Sequence, residues 1–259
     1  MLRFLQIPVA GQAIAASLHL PEAKGGPWPL VVCCHGLTGT RIGSGYRAVS
    51  LGRGLEELGV ACLRFDFRGC GESDGRFLNV TAAALTEDLR AVLAAAKGIA
   101  ELDTGRLGIY ASSFGAFTAA RVAHEMAGLK CLVFIAPVAD PCKLIERDMT
   151  PEAWGGLRRE GWIDHHGLKL GEEFFVTMPR EDGSKLLAGS ARPALIFHGT
   201  GDQQVPFEHG QAYEVALRGA GAEARLEAVD SKDHGLRGAA LSEGIVTQAV
   251  TWFGKYLRG

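Results

Sequence analysis

Apolar and polar residues alternate through residues 2–9 and again through 12–20, with Gly11 between the two runs. That period of two on either side of a glycine predicts an antiparallel hairpin. Beyond it the pattern switches back and forth. Short apolar or alternating runs at 30–35, 60–66, 107–111, 131–136, 194–198 and 224–229 read as strands. Helical spacing fills most of the gaps: in 81–97, Leu85, Leu89, Val92, Leu93 and Ala96 share one face. Residues 45–58, 114–127, 207–219 and 239–257 read the same way. Repeated strand–helix units predict an α/β fold, a mostly parallel eight-stranded sheet with helices on both faces.

The interval 138–191 breaks the rhythm. It shows no clear strand, is rich in charge, and holds Trp154, Trp162, Phe174 and Phe175. Loops of that length are uncommon in compact domains and are usually functional. The expectation is a single domain, 1–259, carrying residues 138–191 as a cap (lid) inserted over its site. The cap aromatics have two readings, a small core for the insertion or a wall for an aromatic substrate.

Composition narrows the function classes. Apolar residues make up 47% and charged residues 22%, enough for a sizeable core and too apolar for disorder. A net charge of −2 argues against nucleic acid as a partner, and no lysine-arginine run suggests an anionic membrane. The six cysteines form no C-x-x-C, and Cys33, Cys34 and Cys131 sit in apolar strand-like runs. Buried reduced thiols are expected rather than zinc ligands. Gln6, Pro8, Gly11, Gln12 and His19 interrupt the first twenty residues, so neither a signal core nor a membrane span is visible. A soluble cytoplasmic protein is expected; a homodimer is compatible with the sequence.

Candidate chemistry centres on Leu107-Gly108-Ile109-Tyr110-Ala111-Ser112-Ser113-Phe114-Gly115-Ala116. An apolar strand stops at a serine and a small-residue helix begins at once. A sharp strand-to-helix turn needs small residues two before and two after the serine. Ser113 has Ala111 and Gly115 there, whereas Ser112 would have Tyr110 and Phe114. Ser113 is therefore the candidate nucleophile, with A-x-S-x-G as its motif. A serine nucleophile needs a base, and the base an orienting acid. Asp202 follows the strand-like run 194–198 in a glycine-containing turn, and His234 follows the run ending near Val229. The chain order Ser113, Asp202, His234 is that of the nucleophile-acid-histidine triad. The backbone N–H groups of Leu37, in His35-Gly36-Leu37-Thr38-Gly39, and of Phe114 are the candidate oxyanion hole.

On these segments, together with Asp66-Phe67-Arg68-Gly69-Cys70-Gly71-Glu72-Ser73-Asp74-Gly75 and His198-Gly-x-x-Asp202-x-x-Val205-Pro206, the chain resembles the α/β-hydrolase superfamily along its whole length. Within it the chain is most similar to bacterial cinnamoyl/feruloyl esterases and related serine carboxylesterases. The segment from Asp66 onward, through Phe77-Leu78-Asn79-Val80-Thr81, carries much of that likeness. Ala111 stands where those enzymes have glycine, and Phe114 where a polar residue or methionine is frequent. The resemblance implies hydrolysis of a small-molecule carboxylic ester, cinnamoyl/feruloyl-type or short-chain, through an acyl-enzyme, with no cofactor and no metal. A peptidase or thioesterase would use the same triad, and a non-catalytic ligand-binding module would use the same fold.

Other polar residues carry plainer expectations. Asp140 is the rival acid. His35 and His198 end strands before glycine and are expected in structural hydrogen bonds, His209 within a helix. Asp164-His165-His166 invites a metal reading that adjacent histidines serve badly, because they diverge on any regular element. Asp66, Arg68, Glu72 and Asp74 are expected to hold a glycine-rich loop.

Overall fold

Side chains of a buried strand point alternately to the two faces of its sheet, and two buried clusters sort this chain that way. Leu30, Val32 and Cys34 enter one cluster while Val31 and Cys33 enter the other. Leu132 and Phe134 part in the same manner from Cys131, Val133 and Ile135. Burial on both faces explains the near-continuous apolar runs.

A computed structural model describes residues 1–22 and 25–258. The first half contains β1 (Leu2–Val9), β2 (Gln12–His19), β3 (Trp28–Cys34), α1 (Arg47–Leu58), β4 (Ala61–Phe65), α2 (Ala82–Lys97), β5 (Leu102–Ser112), α3 (Phe114–Val122) and β6 (Leu129–Ile135). Then come α4 (Pro141–Asp148), α5 (Pro151–Glu160), β7 (Trp162–His165), β8 (Leu168–Gly171), α6 (Glu172–Val176) and α7 (Gly183–Ala188). The last elements are β9 (Ala194–Gly199), α8 (Glu208–Gly219), β10 (Ala224–Val229) and α9 (Ala239–Leu257). Eight strands form one sheet in the order β1-β2-β4-β3-β5-β6-β9-β10. Only β2 runs antiparallel to its neighbours; every other pairing is parallel. Leu51 and Leu55 of α1 pack with α9 on one face; Leu85 and Leu89 of α2, most of α3, and Tyr213 and Leu217 of α8 pack on the other. Among the described residues no helix is long and apolar enough to cross a membrane.

Two boundaries differ from the sequence pattern. β5 begins at Leu102 rather than near 107, because Leu102 and Asp103 pair with Trp28 and Pro29 beyond a bulge at the exposed rim of the sheet. Leu102 is buried, but Asp103–Arg106 after it are polar or glycine and less buried, so no apolar run marks this stretch. Residues 138–191 do contain strands: β7 and β8 pair antiparallel as an isolated hairpin. Its two-residue turn, His166 (φ 54°) and Gly167 (φ 83°), has the paired positive φ values of a tight hairpin turn, and Asp164 Oδ1 accepts the Gly167 N–H at 2.9 Å. Strands of four residues are too short to show a period. α7, at the end of the same interval, packs against α3 and α8 of the main body.

Candidate active site

The turn after β5 places Ser113 at φ 50°, ψ −123°, a backbone conformation that a side chain rarely adopts. Bonds from neighbouring strands and loops hold it there. Ser113 N–H donates to Ile135 O at 2.9 Å, and Ser113 O accepts from Val138 N–H at 3.1 Å. The steric argument has a direct counterpart at Gly115: a Cβ there would lie 2.4 Å from the His35 carbonyl oxygen and 2.6 Å from that of Cys34. Ala111 is fully buried on the other side of the turn. The Ser113 hydroxyl does not cap α3.

That hydroxyl lies 2.9 Å from His234 Nε2, and His234 Nδ1 lies 2.6 Å from Asp202 Oδ2. With an ionised acid, Nδ1–H donates to Asp202 and leaves Nε2 to accept the serine proton. Asp202 Oδ1 accepts the N–H groups of Gln204 (2.9 Å) and Val205 (3.0 Å). Burial alone would raise the Asp202 pKa. The imidazoles of His198 and His234 and the Val205 N–H outweigh it and hold the carboxyl well below its ordinary range. His198 Nε2–H donates to Val205 O at 2.9 Å, closing the turn that carries Asp202. The loop bearing His234 is stapled by Asp233, whose carboxylate takes the N–H of Arg237 at 2.7 Å and its guanidinium. That guanidinium leads in holding Asp233 down at about 2.

Across the serine, His35 Nε2 accepts the Phe67 N–H at 3.0 Å, so its Nδ1–H donates to Gly36 O at 2.6 Å. Gly39 N–H donates to the same carbonyl at 2.9 Å. In a trans peptide the N–H opposes the C=O, so pinning Gly36 O turns the Leu37 N–H the other way. Leu37 and Phe114 both line the cavity beside Ser113.

The cavity has a volume of about 790 Å³. Its far wall comes from the segment between β6 and β9: Leu144, Ile145, Met149, Ile163, Phe174 and Phe175. The four aromatics singled out from the sequence divide. Phe174 and Phe175 line the cavity, with the Phe174 ring 5.4 Å from that of Phe114. Trp154 and Trp162 do not line it, which corrects their placement as substrate contacts. Trp154 stands edge-on to Phe175 at 6.1 Å, and Trp162 lies 4.1 Å beneath the Lys169 ammonium on the hairpin.

Other polar residues are accounted for locally. Asp140 caps α4, accepting from Lys143 N–H at 3.2 Å, and His209 Nδ1 accepts the Ala139 N–H at 3.0 Å. Asp66, fully buried, takes the N–H of Arg41 (2.5 Å) and Glu72 (3.0 Å) and holds the glycine-rich loop. Among the described residues no cluster of three or more His, Cys, Asp or Glu could hold a metal ion.

Arg47 and Arg147 went unnoticed in the sequence. Arg147 Nη2 donates to Gln204 O at 2.9 Å, joining α4 to the acid-bearing turn. Nothing in the pattern distinguishes it from a solvated charge. Arg47 does carry a signal, a cation at the first position of a helix, where the macrodipole disfavours it.

A family model described as alpha/beta hydrolase family matches residues 31–241. The chain is 32% identical over 189 residues to an uncharacterised protein of Mycobacterium tuberculosis, covering 73% of this chain and 57% of that one. An uncharacterised 31.7 kDa protein of Escherichia coli is 29% identical over 170 residues, 65% of this chain and 58% of that one. The chain thus spans under two thirds of these curated relatives. Among solved structures, Est1E from Butyrivibrio proteoclasticus with ferulic acid bound superposes with a TM-score of 0.78 at 25% identity, covering 96% of this chain and 97% of that one. A putative hydrolase from Agrobacterium vitis S4, 20% identical, shares the fold with a TM-score of 0.76 over 98% of both chains.

Proposed function

This chain belongs to the alpha/beta hydrolase family, and we propose that it is a serine carboxylesterase. The observation that carries the proposal is the single imidazole, His234, in hydrogen-bond contact with both the Ser113 hydroxyl and the Asp202 carboxylate. In the proposed reaction Ser113 Oγ attacks the ester carbonyl carbon while His234 Nε2 takes its proton. Asp202 fixes the imidazole tautomer and stabilises the imidazolium. The Leu37 and Phe114 N–H groups receive the oxyanion, each worth on the order of 3 kcal/mol in the transition state. Collapse expels the alcohol, protonated by His234, and leaves an acyl-Ser113. Water, deprotonated by His234, then releases the acid. Protein groups and water suffice for these steps.

The cavity supports the choice of substrate class. Phe114, Phe174 and Phe175 give it an aromatic wall suited to a flat acyl group. The likeness to Est1E, whose structure holds ferulic acid, supports an aromatic ester of the cinnamoyl/feruloyl type, with short acyl esters also accommodated. Six free thiols suit the reducing cytoplasm. The test is covalent labelling by a fluorophosphonate, followed by rates on nitrophenyl esters, methyl ferulate, an aminoacyl anilide and an acyl thioester. The proposal expects labelling that disappears in Ser113→Ala and fastest turnover of the esters. A protein that resists the label, or prefers the thioester or anilide, overturns it.

A further inference from the structure

We propose that Arg47 is a positioning residue for the general base: its guanidinium fixes the loop that presents His234. The inference rests on the triad proposed above. Arg47 Nη2 donates to Leu236 O at 2.6 Å and to Gly235 O at 3.0 Å, the two residues that follow His234, and reaches Ser242 Oγ at 3.3 Å. The bonded residues are 188 and 189 positions apart in sequence.

Nothing about Arg47 serves its own helix. It occupies the first position of α1, where its charge opposes the macrodipole, and the first turn has no acidic residue to offset it. It is 3% exposed, and its Nε is buried without a partner. Among the described residues no carboxylate pairs with it. Burial, an unmade hydrogen bond and the helix dipole therefore all disfavour a cation here. The bonds to the His234 loop and Ser242 oppose them, together with an interaction with the buried Tyr110 hydroxyl.

The Asp233–Arg237 pair braces the start of the loop, and Arg47 holds the carbonyls that follow His234. Leu236 sits at φ 47° with its side chain fully buried, a left-handed conformation unusual for leucine. Its N–H reaches Asp233 O at 2.9 Å, and its carbonyl is aimed at Arg47. Among the described residues the His234 ring makes two side-chain hydrogen bonds, to Ser113 and Asp202. A displacement of about 1 Å in such a contact costs on the order of 10²-fold in rate. Arg47 also borders the cavity, so a small cation can enter the space its truncation leaves.

The experiment compares Arg47→Ala, Arg47→Lys and Ser242→Ala with the wild type, by Tm, by kcat and KM on a nitrophenyl ester, and by the downfield proton resonance of His234 Nδ1–H, identified by its loss in Asp202→Asn. Arg47→Ala should lose roughly 30- to 100-fold in kcat with KM within about twofold, and its Nδ1–H resonance should broaden or vanish. Added guanidinium should restore part of kcat, and Arg47→Lys, which keeps the charge, should lose only about 3- to 10-fold. Ser242→Ala, which spares the carbonyl bonds, should stay within twofold. Wild-type kcat in Arg47→Ala, or an activity loss that tracks Tm and ignores guanidinium, overturns the proposal. Should Arg47→Ala not fold, wild-type kcat and an intact resonance in Arg47→Lys overturn it equally. A wild type without esterase activity would overturn the esterase reading instead, and the resonance alone would still decide whether Arg47 holds His234 on Asp202.

Discussion

The two walls of the cavity are built differently. On the sheet side hydrogen bonds hold the frame of the proposed triad: Ser113 through Ile135 and Val138, Asp202 through the N–H groups of Gln204 and Val205, Gly36 through His35 and Gly39, and the His234 loop through Asp233 and Arg47. On the opposite side, α4 fully buries only Pro141, the β7–β8 hairpin pairs only with itself, and the wall is mostly apolar, though Arg147, Asp148, Asp164, His165 and His166 line it too. Hydrogen bonds fix position to fractions of an ångström; apolar packing fixes volume and little else. The first wall suits proton transfer and oxyanion binding, the second the discrimination of substrate shape. Mutations on the two sides should therefore differ in kind: loss of turnover for all esters on one, altered choice among esters on the other.

The largest effect is expected at Ser113. Ser113→Ala should lower kcat by roughly 10⁵- to 10⁶-fold on every ester while leaving Tm near the wild-type value. Ser112, a β5 residue in register with Ile135, should tolerate alanine within a few-fold. Equal losses at the two positions would break the comparison at its root, since the nucleophile would no longer be the residue at the strained turn.

Asp202→Asn comes next, at about 10⁴-fold in kcat, because an amide favours the wrong imidazole tautomer. Asp140→Asn, which keeps an acceptor at the α4 cap, should cost less than about tenfold in activity and little in stability, since asparagine caps a helix about as well as aspartate. A greater loss from Asp140→Asn would move the acid to the loop after β6.

The pH dependence separates the members of the triad. The Asp202 carboxyl, held below its ordinary range, stays ionised wherever the enzyme is assayed. The acid limb of kcat/KM should then carry no second proton from this carboxyl. Stability follows the same sign. A carboxyl whose folded pKa lies below the unfolded value of about 3.9 stabilises the fold above that value and ceases to do so as pH falls through the folded one. The stability gap between wild type and Asp202→Asn should therefore narrow from about pH 6 to about pH 3 in denaturant titrations. A gap that widens in acid would contradict the assigned shift.

The same contrast explains what was legible in the sequence. Ser113 could be placed to the residue because sterics at Ala111 and Gly115 admit one register, and the contact distances at Gly115 show how little room there is. The central strands of the main sheet announced themselves because burial on both faces demands apolar runs, and β1 and β2 did so by alternation. The second wall left no comparable trace. Four-residue strands such as Trp162–His165 carry no readable period. An aromatic in a surface insertion reads alike whether it faces the cavity, as Phe175 does, or lies under a lysine, as Trp162 does. Arg47 was obscured for a third reason: its partners are backbone carbonyls, and those have no letter in the sequence.

The smallest effects should come from the segment between β6 and β9, and they should be selective. Phe175 lines the cavity and is only partly buried, so a substrate ring can replace the contacts it lacks. Burial and stacking of a ring are worth roughly 1–3 kcal/mol, so Phe175→Ala should lower kcat/KM for methyl ferulate about 5- to 150-fold. Nitrophenyl acetate, whose acyl group is too short to reach that wall, should change less than about twofold. Phe174, 5% exposed and packed on Phe114, belongs to the core as well as to the wall, so Phe174→Ala should also cost about 3–5 kcal/mol in stability. Trp162→Ala, away from the cavity and beneath Lys169, should leave both esters unchanged. If Phe175→Ala slowed both esters equally, the second wall would be positioning the catalytic groups rather than choosing among substrates. The Arg147 bond to Gln204 O, two residues from Asp202, would then be the route to examine.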